Sequence, residues 1–187
     1  MDHLIYSRNM TEFNWLLKGR CYKLGHDVSH AGGVIPNRLI VAREMDPQKI
    51  IPHLFEETDP GFHTRAKRGD IIVTGRNFGM GPKANGYIAM QALGLGLVCE
   101  SMPFLAYRAA VGAGVLVLTD CIGATNLCDT GDELEVDFQN GFFVNHTRGI
   151  TREYPPLPDT LREIVEVGGN TGWLKQWWQR QHAAQSK

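Results

Sequence analysis

The chain reads as an α/β fold with a parallel βαβαβ core, followed by a C-terminal hairpin and helices. Three observations predict it. Short apolar runs at Ile71–Thr74, Leu95–Cys99 and Val115–Leu118 are separated by helix-length segments, a spacing that calls for parallel pairing through right-handed crossovers. Beyond residue 128 the pattern becomes alternating strands about Asn140-Gly141, a strong hairpin signal. A tail with Trp173, Leu174, Trp177 and Trp178 repeats apolar residues at i, i+4, as a helix does.

In chain order, residues 1–18 read as an arm with Phe13, Trp15, Leu16 and Leu17 as an apolar clip. Residues 19–168 form the domain and 169–187 a helical tail. Gly19 to Leu24 alternates as a half-buried strand does. Gly25 to Gly33 and Glu57 to Gly61 read as loops, and 37–68 otherwise carries helical signals, including an Asp46-Pro47 start. Residues 82–93 predict a helix with Tyr87, Met90 and Leu93 on one face, and Pro103–Val111 a second. Glu133–Phe138 and Phe142–His146 flank the hairpin turn. Consecutive prolines in Tyr154–Pro158 impose an extended link. Thr160 with Glu163 matches a capping box, for a helix stopped at Gly168-Gly169.

Composition narrows the function classes. A net charge of −1 over 187 residues argues against a nucleic-acid surface driven by bulk charge. No apolar run reaches membrane-span length, and the polar start (Asp2, Arg8, Glu12) lacks a signal-peptide pattern, so a cytoplasmic location is expected. Cys121 and Cys128 are separated by six residues and the other cysteines by far more. That matches neither zinc nor iron–sulfur spacing, and packed thiols are expected.

The stretch Gly69 to Lys83 carries the chemistry. It is a buried strand, Ile71–Thr74, running into a glycine turn (Gly75, Gly79, Gly81), with a helix expected to open at Pro82. Such a turn is expected to aim unpaired N–H groups at a carboxylate or phosphate. Ligands of parallel sheets sit beyond the carboxyl ends of the strands, where Gly75–Lys83, Glu100–Pro103 and Thr119–Gly123 emerge.

This strand and turn resemble the active-site loop of the small subunit, or swivel domain, of the 3-isopropylmalate dehydratase and aconitase family. Gly131–Asp137 and Pro156 to Gly169 resemble its closing hairpin and helix, and the chain length matches a separate small subunit. The resemblance implies a swivelling β/β/α domain that closes over a large subunit carrying a [4Fe-4S] cluster, with no metal on this chain. It implies a hydro-lyase acting on a small hydroxy acid. Iron would act on the leaving hydroxyl. The swivel domain would supply a serine base and an arginine for a substrate carboxylate.

By the resemblance, Pro82 and Lys83 stand at the family's two serine positions and Ala84 at its arginine, or, in a register one residue shorter after Gly81, Lys83 approaches the arginine site. Pro82 has no side-chain oxygen to act as base. Ser101 to Arg108 resembles Ser-Phe-Ala-Arg-Ile-Phe-Tyr-Arg, with Phe104 at the first arginine. His26 to Gly32 resembles the Asp-His-Ile-Ser-x-Ala-Gly loop with its first two residues exchanged. Fixed charges are fewer and apolar surface greater, implying a substrate other than citrate or isopropylmalate.

Lys83 has two readings, a substrate-pairing group or base of lowered pKa, and a solvated lysine in a first helical turn. His26 and Asp27 are the other catalytic candidates; His26 also reads as a loop histidine bonded to backbone. Substrate-side candidates are Arg76, Asn77, Gly79, Met80, Gly81 and Pro82 of the turn, with Ser29, Ser101 and Phe104 from the flanking motifs. Arg108 is expected in an ion pair, and Asp120 is a further pocket carboxylate. Two classes stand open, the small subunit of a two-chain dehydratase or isomerase, and a non-catalytic swivel protein that binds a ligand or stabilises a partner.

Overall fold

The computed structural model describes residues 13–81 and 85–185. A mixed sheet of seven strands organises the chain. Strands β1 (Leu16–Lys23), β2 (Ile71–Thr74), β3 (Gly96–Cys99) and β4 (Leu116–Leu118) run parallel, in the order β4-β3-β2-β1. The sheet continues antiparallel from β1 through β5 (Glu133–Asp137), β6 (Phe142–Asn145) and β7 (Ile150–Glu153).

Strand β1 is shared between the two halves. Leu16 to Arg20 pair antiparallel with β5, and Cys21 to Lys23 pair parallel with β2. Its start at Leu16 lies inside the segment read from sequence as an arm. Pairing with β5, distant in the chain, decides that boundary, and local alternation carries no trace of it. β2 and β3 are buried at every position, as expected of parallel strands covered on both faces. Right-handed crossovers place α4 (Asn85–Leu93) and α5 (Phe104–Gly112) on one face. Tyr87 and Met90 of α4 are fully buried there, and Leu93 packs against the core.

The helical stretch 37–68 is broken into short pieces, α1 (Asn37–Val41), α2 (Pro47–Ile50) and α3 (Phe62–Arg65), with a 3-10 turn at Ile51–His53. Asp46 does cap α2, its side chain accepting from the Gln48 N–H at 3.0 Å. Helix α6 (Asp159–Glu166) starts directly after Pro158 and forms no side-chain cap. The capping box of Thr160 and Glu163 is therefore not made, because the helix begins one residue before Thr160 and Asp159 pairs with Arg162 instead. Strand β7 has an intermediate residue followed by exposed ones and offered no apolar alternation to read. Helix α7 (Asn170–Gln185) leaves Trp173, Trp177 and Trp178 between 44% and 58% exposed, so they are no part of the core. All four cysteines are buried free thiols.

Candidate active site

The parallel strands release their loops at one edge of the sheet, residues 24–36 after β1, 75–81 after β2, 100–103 after β3 and 119–123 after β4. The first two loops run side by side and prolong the β1–β2 ladder. Leu24 N–H donates to the Val73 carbonyl at 2.8 Å, Gly75 N–H to Gly25 at 3.1 Å, Asp27 N–H to Arg76 at 2.8 Å, and His30 N–H to Met80 at 2.9 Å. Ser101 ties in the third loop, its hydroxyl accepting the Asn77 N–H at 3.0 Å and its carbonyl the Phe78 N–H at 3.1 Å.

This network corrects the reading of the turn as a cradle of unpaired N–H groups. Five consecutive donors are committed within the protein. Gly75 donates to Gly25, Arg76 to His26 Nδ1, Asn77 to Ser101 Oγ, Phe78 to the Ser101 carbonyl and Gly79 to the Val28 carbonyl. The acceptors lie as far as 51 positions away in the chain, as Val28 does from Gly79, so local sequence shows the turn but not its partners.

Two glycines are required by what lies against them. A methyl on Gly75 would sit 2.2 Å from His26 Nδ1. Gly79 has φ +77°, and a methyl there would lie 1.9 Å from the Tyr87 hydroxyl, far inside any van der Waals contact. That hydroxyl is buried without a hydrogen-bond partner. Burial raises its pKa well above the ordinary tyrosine value.

The structure brings His26, Asp27, Arg76 and Asn77 together as exposed residues at the carboxyl edge. His26 Nδ1 accepts from Arg76 N–H at 2.9 Å and Asp27 Oδ1 from Asn77 Nδ2 at 2.8 Å. Gly79 is buried beneath them, and Met80 and Gly81 are exposed. Ser29 spends its hydroxyl on the Ala31 carbonyl at 2.6 Å. Phe104 is 70% exposed at the start of α5. Pro82, Lys83 and Ala84 lie outside the described residues.

His30, in the same loop as His26, is fully buried against Tyr87, its Nε2 accepting from Gly86 N–H at 3.3 Å. Arg108 makes no ion pair among the described residues; its guanidinium lies 5.4 Å from the centre of the Phe104 ring. Asp120 is exposed beside the end of β4, in a left-handed conformation of φ +61°. Sequence reasoning missed Glu100. It is a carboxylate only 8% exposed at the end of β3, accepting from Thr125 Oγ1 at 2.5 Å. Its signal was a charged residue closing an apolar strand on the ligand edge.

Among the described residues no three His, Cys, Asp or Glu side chains converge on a metal-sized site. With every thiol buried in the core, the residues present do not fit an iron–sulfur cluster on this chain.

No protein-family model matches the chain. The small subunit 2 of 3-isopropylmalate dehydratase from Archaeoglobus fulgidus is 35% identical over 160 residues, spanning 84% of this chain and 94% of that protein. The isopropylmalate/citramalate isomerase small subunit of Methanocaldococcus jannaschii is 34% identical over 164 residues, spanning 86% of this chain and 95% of that one. The crystal structure of a 3-isopropylmalate dehydratase from Methanocaldococcus jannaschii superposes with a TM-score of 0.80 at 29% identity, covering 90% of this chain and 99% of its own.

Proposed function

Since the chain belongs to the 3-isopropylmalate dehydratase small-subunit family, we propose that it is the small subunit of a two-chain hydro-lyase acting on a hydroxy carboxylic acid. The single observation behind this reading is the near end-to-end match to such subunits, 94% of the Archaeoglobus fulgidus protein. The partner is a large subunit. That subunit holds the [4Fe-4S] cluster, which this chain's own donors do not fit and whose iron would act on the leaving hydroxyl.

Dehydration also needs a base for the hydrogen on the adjacent carbon. Pro82 removes the hydroxyl that the family places there, and we assign the base to Lys83 Nζ. Arg76 at the carboxyl edge supplies positive charge for a substrate carboxylate. Asp27 is held by Asn77 and shapes the loop that carries His26. The substrate is a hydroxy acid with fewer carboxylates, or a bulkier apolar arm, than citrate or isopropylmalate. Supporting this, Phe104, Met80 and Ile122 expose apolar surface at the same edge, and the resemblance sets Phe104 where the family carries an arginine.

The test is co-expression with the large subunit of the same genome, anaerobic purification, and assay of a panel of 2-hydroxy acids. A stable complex that forms an unsaturated acid supports the reading. A stable complex inert on every acid favours a non-catalytic swivel protein.

A further inference from the structure

We infer that His26 serves the proposed reaction as a fixed Nε2–H donor to a substrate carboxylate, and not as its base. The inference rests on the hydro-lyase reading of the site. Arg76 N–H donates to His26 Nδ1 at 2.9 Å. A ring nitrogen that accepts an N–H carries no proton, so the proton of the neutral imidazole is on Nε2. The ring is seated against Gly75, where an added methyl would meet Nδ1 at 2.2 Å, Cε1 at 2.7 Å and Cγ at 2.9 Å. Backbone contact thus fixes both the tautomer and the ring position.

A base must receive a proton on a nitrogen with an available lone pair. The only lone pair of this ring points at the Arg76 N–H. A proton arriving there would set two hydrogens against each other across 2.9 Å, so the loop would have to break for His26 to work as a base. The Nε2–H faces no such obstacle. His26 is exposed and Nδ1 is its only bonded atom among the described residues. The nearest carboxylate in sequence, Asp27, accepts from Asn77 at 2.8 Å. An ionised carboxylate, which only accepts, is the group that matches a lone N–H donor.

Two measurements test this. Long-range 1H–15N correlation spectra of the isolated chain above neutral pH should show His26 with an unprotonated Nδ1 and a protonated Nε2; the opposite tautomer overturns the inference. In the reconstituted complex, His26→Asn keeps an oxygen where Nδ1 accepts but loses the outer donor. It is expected to raise KM about 10- to 100-fold, the range of one hydrogen bond to a charged group, with kcat nearly unchanged. A kcat loss of about 10²-fold or more, together with loss of the pH limb set by the base, overturns it, as does an unchanged KM. A wild-type complex without turnover on any hydroxy acid overturns the reading of function, and this role with it, while the spectra still report the tautomer separately.

Discussion

Asp27 and Asn77 clasp each other across the two loops of the site, and both adopt left-handed backbone conformations, with φ of +55° and +59°. The Asn77 amide donates to Asp27 Oδ1 at 2.8 Å, and the Asp27 N–H donates to the carbonyl of Arg76, next to Asn77, at 2.8 Å. Asn and Asp tolerate this region better than other residues with a side chain. Asn77→Ala should therefore lose both a hydrogen bond and backbone compatibility, about 1–2 kcal/mol. The measure is a melting-temperature drop of about 2–8 °C for a chain of this size. Asn77→Gly, which restores the backbone freedom, should recover part of it.

Gly79 and Tyr87 form a second coupled pair. Gly79→Ala forces a methyl into the Tyr87 hydroxyl at a φ of +77°, and should cost about 2–4 kcal/mol. Tyr87→Phe removes a buried hydroxyl with no partner and should leave stability unchanged or raise it by about 1 kcal/mol. Denaturant melts of the double variant should recover part of the Gly79→Ala loss, because strain in the backbone remains when the collision is relieved. Simple additivity would show that the two positions are not in contact.

Acid sensitivity should centre on Asp132. Burial pushes its carboxyl up, but the Asp129 N–H, the Asn145 amide at 2.8 Å and the Arg148 guanidinium outweigh this and hold it below the ordinary aspartate value. A carboxyl depressed in the folded state contributes stability that is present above its unfolded pKa. That contribution is lost as pH falls through the folded value. Asp132→Asn should be less stable at neutral pH and show a flatter decline below about pH 4. An unchanged acid limb in pH-dependent melts would place the sensitive group elsewhere.

Lys83→Ala should separate catalysis from folding. Alanine is a strong helix former, so replacing this lysine should barely move the melt. Removal of the base or of a charge-assisted contact should lower kcat/KM of the complex by about 10²-fold or more. Full turnover in this variant would make Lys83 a solvated surface residue and turn attention to Asp27.

Phe104 offers a gain-of-preference test. It is 70% exposed, so Phe104→Arg should leave the fold intact while placing a planar fork for a carboxylate at this edge. The ratio of kcat/KM for acids with an extra carboxylate over those with an apolar arm should rise about 10- to 100-fold. A ratio that stays put would show that selectivity is set elsewhere, for instance on the large subunit.

How far the sequence could be read follows the range of the interactions. The buried strands at Ile71–Thr74 and Leu95–Cys99, the hairpin about Asn140-Gly141 and the Asp46 cap were legible, because hydrophobic period and turn chemistry act over a few residues. The resemblance carried by Gly69 to Gly81 identified the dehydratase family for the same local reason. The start of β1 at Leu16 depends on β5, and β7 is an edge strand with little apolar surface. The burial of His30 depends on Tyr87, far along the chain.

The candidate site divides the same way. Sequence alone pointed to the loops after Ile71–Thr74, Leu95–Cys99 and Val115–Leu118 as the carboxyl edge, since the strand–helix–strand spacing that implies parallel pairing is written locally. Only the tertiary structure decided that Gly75 to Gly79 spend their N–H groups on Gly25, His26, Ser101 and Val28, and that Glu100 is enclosed beside Thr125. A backbone donor satisfies itself with whichever acceptor the folded chain brings within about 3 Å, and no pattern within one segment records what the other segments will bring.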